Sequence, residues 1–147
     1  MHTELSIENF KCFSKKTDIK LGKINICLGS NSVGKSSVIQ SCILLRQIYE
    51  QAKLYRNTKV DEYIIQLNDI YGLQLGDSQH IQSANKDEIE VGIDGYEFQL
   101  YAIPDSPMEM KVINNYDIEK LFGNKGLFAD EFYYLNAERI GPRNYQL

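Results

Sequence analysis

The 147-residue chain contains no tryptophan, only three prolines and only three cysteines. Cys12, Cys27 and Cys42 are odd in number and stand at no metal-ligand spacing, so neither a disulfide framework nor a zinc site is predicted. No apolar run approaches the roughly 20 residues of a membrane span, and the polar N-terminus lacks a signal-peptide core. These absences predict a cytoplasmic protein with reduced thiols and no membrane partner.

The chain also lacks an excess of positive charge, because its formal net charge is −4 at pH 7. A protein that binds nucleic acid unaided must neutralise phosphates and usually carries a basic excess. The composition is otherwise that of one globular domain, with 43% hydrophobic and 24% charged residues. DNA is therefore expected as a partner only through a basic patch on other sequence.

Apolar and polar residues alternate near the N-terminus, which predicts short strands within 4–13, 18–22 and 23–29. Over 36–53 the apolar residues recur at three- and four-residue steps, without Gly or Pro. This spacing predicts a helix with one buried stripe, formed by Val38, Ile39, Cys42, Leu45, Ile48, Tyr49 and Ala52. A glycine-rich loop thus lies between a predicted strand and a predicted helix.

The clearest hairpin lies within 88–101, around Asp94-Gly95, a favoured pair for a type I′ turn. The predicted register pairs Ile93 with Tyr96, Val91 with Phe98 and Ile89 with Leu100. Four other segments give weaker signals: a strand or helical return at 63–67, a loop at 71–80, a third strand at 108–114 and a short helix at 118–123. A strand that ends in a basic turn is predicted at 131–143.

Residues 29–37 read GSNSVGKSS and fit the phosphate-loop pattern G-x-x-x-x-G-K-[ST]. Glycines let the backbone approach oxygen atoms closely, successive N–H groups can cradle a phosphate, and a helix N-terminus attracts anions. Lys35 can reach the β- and γ-phosphates, and Ser36 can supply its hydroxyl to Mg²⁺. The predicted nucleotide-binding residues of this loop are Gly29, Ser30, Asn31, Ser32, Val33, Gly34, Lys35, Ser36 and Ser37.

Three stretches together resemble the N-terminal segment of RecF/SMC-like ABC ATPases, within that group most closely the bacterial OLD-type and anti-phage defence ATPases. They are LSIENFKCF (5–13), GKINICLGSNSVGKSSVIQSCILLRQ (22–47) and YLNAERIGPR (134–143). The resemblance implies an α/β P-loop NTPase fold, with an ABC-ATPase-like first lobe, a mixed sheet and an antiparallel β layer. It also implies ATP with Mg²⁺ as cofactors and two heads that sandwich ATP as a homodimer or oligomer.

The resemblance carries over further residues. Lys11 matches a family position near the nucleotide, although a solvated surface lysine explains it equally. Gln74 and Gln79 are both candidates for the family's Mg²⁺-sensing glutamine, and the spacing does not choose between them. Arg139 and Arg143 can contact phosphate, DNA or a second lobe, or can simply be solvated.

Other parts of an ABC ATPase are missing from residues 1–147. There is no apolar strand ending in Asp-Glu (the Walker B motif), no Ser-Gly-Gly-type signature and no switch histidine, since His2 and His80 lack matching context. Asp69, after YIIQL, imitates the Walker B aspartate only weakly. The chain therefore resembles an N-terminal lobe that is expected to bind ATP without turning it over. The resemblance implies a full-length protein that works with a nuclease or other effector, with DNA as a candidate partner.

Two other functions fit parts of the sequence. A small GTPase would use the same loop and the D-x-x-G of Asp69 to Gly72, but NKDE at 85–88 carries Glu88 where its guanine-reading motif requires Asp. A non-catalytic nucleotide-binding scaffold would need nothing beyond the phosphate loop.

Overall fold

The structure is a computed structural model that describes residues 3–30, 34–55, 62–84, 86–113 and 132–134. Its strands are β1 (Thr3–Glu8), β2 (Thr17–Leu21), β3 (Glu62–Gln66), β4 (Glu88–Ile93), β5 (Tyr96–Ala102) and β6 (Glu109–Ile113). Its helical elements are α1 (Lys35–Leu54), the 3-10 turn Ile70–Gly72 and α2 (Ser78–Ile81). The strands form one sheet in the order β2-β1-β4-β5-β6-β3, so the described chain is an α/β fold.

Helix α1 connects β2 at one edge of this sheet with β3 at the other edge. Six strands spaced about 4.8 Å apart span about 24 Å. A helix of 20 residues is about 30 Å long, which is enough to cross the whole sheet. The start of α1 therefore lies beside the β1–β2 connection, and the helix contacts β3 and β4 along its course.

The predicted hairpin is confirmed, including its register. Asp94 has a φ of 50° and Gly95 a φ of 83°, the two positive values that a type I′ turn requires. Strand β1 also holds the turn. The Asp94 N–H donates to the Glu4 carbonyl at 2.8 Å, and the Asp94 carboxylate accepts from the Glu4 N–H at 2.8 Å. The pairing places the apolar side chains on one face, where they form the core with α1, namely Ile89, Val91, Ile93, Phe98 and Leu100.

The predicted mixed sheet is not found in the described ranges, because all five strand pairings are antiparallel. The strand predicted at 23–29 is wrong. The chain leaves the sheet at Gly22, where the Asn25 side chain closes a turn on the Gly22 N–H and carbonyl at 2.8 and 2.9 Å. Beyond it Ile24, Ile26 and Leu28 are 85%, 79% and 86% exposed, because no described strand lies beside them to form a ladder.

The predicted helix is confirmed over nearly its full length, but its buried face is rotated from the predicted stripe. Leu45, Ile48, Tyr49 and Ala52 are buried as predicted, whereas Ile39 is 45% exposed and Val38 and Cys42 are only partly covered. In the first turns the buried side chains are instead the small Ser37 and Ser41. The first turns of α1 therefore leave a second, apolar face partly uncovered.

The opposite face of the sheet carries mainly carboxylates. Alternation along the strands brings Glu8 beside Glu90. Lysines partly balance this charge through the ion pairs Lys16–Glu97, Lys86–Glu8 and Lys111–Glu62. Such a face repels a phosphate backbone. It is therefore the solvated side of the sheet.

The remaining segments follow their predictions in part. The segment at 63–67 is strand β3, and the third strand at 108–114 is β6. The loop predicted at 71–80 contains the end of the 3-10 turn and most of α2. Residues 132–134 are not in a strand, and the rest of the predicted strand 131–143 and the helix 118–123 lie outside the described residues. No helix of the described ranges is long and apolar enough to cross a membrane.

Candidate functional site

The phosphate-loop sequence leads directly into the long helix. Gly34 is the N-cap of α1 with a φ of 89°, a left-handed conformation that glycine adopts without strain. The first helical hydrogen bond recorded runs from the Val38 N–H to the Gly34 carbonyl at 3.0 Å. Among the residues that the structure describes, no side chain caps this end, and the first turn holds no acidic residue. Helix N–H groups without such a partner attract anions.

The Lys35 ammonium folds back over the beginning of the loop. Its Nζ donates to the Gly29 carbonyl and, at 2.6 Å, to the Ser30 carbonyl. Gly29 itself has a φ of 143°. Lys35 therefore links the start of α1 to the beginning of the phosphate-loop sequence. Ser36 follows directly and is exposed.

A second turn packs against the phosphate loop. Phe10 and Phe13 exchange backbone hydrogen bonds of 3.1 and 2.9 Å and so close a tight turn, called here the 10–13 turn. A Cβ on Gly34 would stand 2.5 Å from Cys12 Sγ and 3.2 Å from the Phe13 ring. The 10–13 turn therefore touches the N-cap of α1, which only a glycine permits.

Lys11, which the resemblance predicts to lie near the nucleotide, is on this turn. It is half-buried, with a left-handed φ of 51°, and its backbone N–H donates to the Ile81 carbonyl at 2.7 Å. Burial lowers the pKa of the Lys11 ammonium, and the neighbouring Cys12 partly opposes this shift. A phosphate nearby would offset the same burial cost.

The two glutamine candidates lie in different surroundings. Gln79 is exposed on α2, whose last residue, Ile81, accepts the Lys11 hydrogen bond, so Gln79 is on the element beside the 10–13 turn. Gln74 instead pairs with Asn68 in the loop that follows β3. The contacts thus link the helix that carries Gln79, and not the loop that carries Gln74, to the 10–13 turn.

Asp69 is distant from the start of α1. The residues after it, Ile70 and Tyr71, line a cavity with Gln47, Glu50 and Gln51 in the second half of the helix. At about 1.5 Å per residue, this lies on the order of 17 Å or more along the helix from Ser36. A Walker B or D-x-x-G aspartate must reach the metal or γ-phosphate, and Asp69 does not meet this requirement.

An apolar groove runs beside the first half of α1. It is formed by residues 21–27, the uncovered face of the helix and the segment 132–134, and it has a volume of about 740 Å³. Cys42 lies in it, and burial, reinforced by the nearby Cys27, raises the pKa of the Cys42 thiol to about 11. Lys35 and Ser36 form the end of the groove nearest the loop, so the groove and the phosphate loop are continuous.

Several predicted site residues lie outside the described residues: Asn31, Ser32 and Val33 of the loop, and Arg139 and Arg143. Within the described ranges, no cluster of three or more His, Cys, Asp or Glu side chains forms a metal site. A phosphate-loop magnesium site would not give such a cluster, since it uses one hydroxyl and the nucleotide's own oxygens.

Sequence reasoning missed Asn9, which is fully buried and makes side-chain hydrogen bonds to the 83–88 segment. One signal was present: asparagine between two strands readily adopts left-handed backbone conformations and bonds to nearby main chain. The partners of Asn9 are more than 70 residues away, however, so no local pattern points to them.

A scan against protein-family models, a search of curated proteins and a search of solved structures each found no match for this chain. The functional conclusion therefore depends on the residues themselves.

Proposed function

We propose that this chain binds ATP or ADP with Mg²⁺ through residues 29–37, in the manner of a P-loop NTPase. The observation that carries the proposal is the meeting of three features at one point: the uncapped start of a 20-residue helix, the left-handed Gly34 and the Lys35 ammonium. A polyphosphate is bound by N–H donors, by a backbone that it can approach closely and by a positive charge, and these three features supply them. A helix start that served only structure would more often carry a capping side chain.

Each residue of the site would contact a different part of the Mg²⁺-nucleotide. N–H groups of the loop and of the first turn of α1 hold the β-phosphate, and Lys35 leaves the Gly29 and Ser30 carbonyls to pair with β- and γ-oxygens. Ser36 would hold Mg²⁺, which neutralises the phosphate charge. Lys11, on the 10–13 turn, approaches the same phosphates from the side of Gly34.

Nucleotide binding is tested by Lys35→Ala, with Lys53→Ala as a matched control. Lys53 is exposed in the last turn of the same helix, so the control makes the same change at the opposite end. A hydrogen bond to a charged group contributes about 1.5–3 kcal/mol, which corresponds to roughly 10- to 150-fold in Kd. Calorimetry with Mg²⁺-ATP should show this loss for Lys35→Ala only, and equal affinity of both variants would contradict the proposal.

The wider assignment follows the family resemblance. We propose that the chain is the ATP-binding N-terminal part of a RecF/SMC/OLD-like ATPase that dimerises or oligomerises with ATP and acts with a nuclease or other effector in defence or repair. The exposed Ile24, Ile26 and Leu28 and the apolar groove are consistent with further chain or a partner packing there. DNA would bind a surface other than the outer face of the sheet, because that face is acidic and repels phosphates.

Among the alternatives, a non-catalytic nucleotide-binding scaffold is the stronger. It requires the phosphate loop alone, and the distance of Asp69 from the start of α1 favours binding without hydrolysis. The same distance counts against the small-GTPase alternative, because its D-x-x-G must lie at the γ-phosphate. Nucleotide competition separates the two, since a GTPase would prefer GDP to ADP.

A further inference from the structure

We infer that Asn9 is a positioning residue for the nucleotide site, whose carboxamide fixes the 10–13 turn, and with it Lys11, against the phosphate loop. This inference rests on the proposed function. It names a residue that the phosphate-loop pattern does not include.

The Asn9 side chain uses its whole hydrogen-bonding capacity toward one segment. Its Nδ2 donates to the Lys86 and Glu88 carbonyls at 3.2 and 2.7 Å, and its Oδ1 accepts from the Ser83 and Ala84 N–H groups at 3.0 and 2.6 Å. Asn9 is fully buried, so its carboxamide would be costly to leave without these partners. The carboxamide therefore ties the end of β1 firmly to the segment before β4.

The backbone at Asn9 also has a conformation that few residue types adopt. Asn9 has a φ of 56° and Lys11 a φ of 51°, so the chain makes two left-handed steps within three residues. Asparagine tolerates this conformation better than other non-glycine residues. The two steps turn the chain so that Lys11 and Cys12 stand at the corner of the 10–13 turn.

From the turn, contacts lead directly to the phosphate loop. The Cys12 and Phe13 side chains leave no room for a Cβ on Gly34, and the Lys11 N–H donates to the Ile81 carbonyl. A shift of the turn would therefore move the Lys11 ammonium and open the packing at the N-cap of α1. Asn9 acts through these neighbours and does not itself reach the phosphates.

A purely structural role would lower stability and leave the nucleotide affinity of the folded protein unchanged. Asn68 offers the comparison, because its side chain also bridges loop backbone, donating to the Gly76 carbonyl at 3.0 Å and accepting from the Gly76 N–H at 2.9 Å. It does so in the loop after β3, which borders the second half of α1. Asn9→Gly and Asn68→Gly thus make one chemical change at two loops, and glycine retains the left-handed backbone at position 9.

The experiment measures the Kd for Mg²⁺-ATP of the full chain and both variants, at a temperature where circular dichroism shows each to be folded. We expect Asn9→Gly to weaken binding about 10-fold or more, comparable with the loss of outer-shell partners at metal sites, and Asn68→Gly to change it less than twofold. Equal affinities for wild type and Asn9→Gly would overturn the inference and leave the proposed function intact. A wild-type chain that binds no nucleotide would overturn both.

The Cys12 thiol gives a readout that global stability does not move. In a Cys27→Ser background, Cys12 is exposed and Cys42 is half-buried with a raised pKa, so alkylation near pH 8 reports Cys12. Asn9→Gly should accelerate this alkylation severalfold in folded protein, and Asn68→Gly should not. An unchanged Cys12 rate in Asn9→Gly would show that Asn9 does not set the turn, and would overturn the inference.

A surface variant covers the case in which Asn9→Gly does not fold. Lys11→Gln changes only the side chain that the turn is inferred to present, and Lys15→Gln removes an exposed lysine four residues further on. Weaker ATP binding in Lys11→Gln alone supports the inference. Equal binding in the two lysine variants overturns it, because the turn would then present nothing to the nucleotide.

Discussion

Because the 10–13 turn packs against the phosphate loop, we expect Gly34→Ala to lower the free energy of unfolding by more than a glycine-to-alanine change at an open turn. Two terms contribute. The first is the backbone, because Gly34 has a φ of 89° and a left-handed non-glycine residue costs about 1–2 kcal/mol. The second is overlap, because the new Cβ would lie 2.5 Å from Cys12 Sγ and 3.2–3.3 Å from two ring atoms of Phe13.

The overlap term lies at the low end of the usual range. Cys12 is exposed, so its thiol can rotate away, and overpacking that is relieved in this way costs about 1 kcal/mol. Gly34→Ala should therefore destabilise the protein by about 2–3 kcal/mol in all. Gly76→Ala isolates the backbone term, since Gly76 has a φ of 83° and its Cβ would meet nothing within 4 Å.

Urea unfolding of four variants separates the terms: Gly34→Ala, Gly76→Ala, Cys12→Ala and the double change Gly34→Ala/Cys12→Ala. We expect Gly34→Ala to cost about 1 kcal/mol more than Gly76→Ala, and the Cys12→Ala background to remove most of that excess. Such a non-additive result is the signature of contact. Equal costs for the two glycines, with no coupling to Cys12, would refute the packing of the turn on the helix start.

Two further predictions concern catalysis and the sheet. In a phosphate-release assay, residues 1–147 and Lys35→Ala should give the same background, because loss of a single preorganised group typically costs about 10²–10³ in rate and Asp69 is remote from the loop. Steady release that Lys35→Ala abolishes would contradict this. Gly92→Ala should cost about 1–3 kcal/mol in thermal or urea unfolding, because its Cβ would lie 2.5 Å from Ser6 Oγ and 2.8 Å from the Tyr96 carbonyl. Gly22→Ala, with nothing closer than 3.7 Å, is its control, and equal stability of the two variants would refute the close packing.

Local sequence alone determined the hairpin and the helix. Asp94-Gly95 selects its turn and thereby fixes the register of β4 with β5, and a helix needs only its own apolar spacing and freedom from Gly and Pro. The phosphate-loop pattern is local in the same sense, since its glycines, lysine and serine are contiguous with the start of α1. These features could be predicted because their partners are close in the chain.

The tertiary structure decided the rest, because the forces involved act between distant residues. Residues 23–29 have an ideal strand pattern, yet a strand needs a neighbour for its hydrogen bonds, and none of the described strands provides one. Ser37 and Ser41, rather than Ile39, are buried at the start of α1, which apolar spacing alone does not reveal. Asn9 gains its hydrogen bonds only from residues far along the chain, so no local pattern predicts them; the partners are Ser83, Ala84, Lys86 and Glu88.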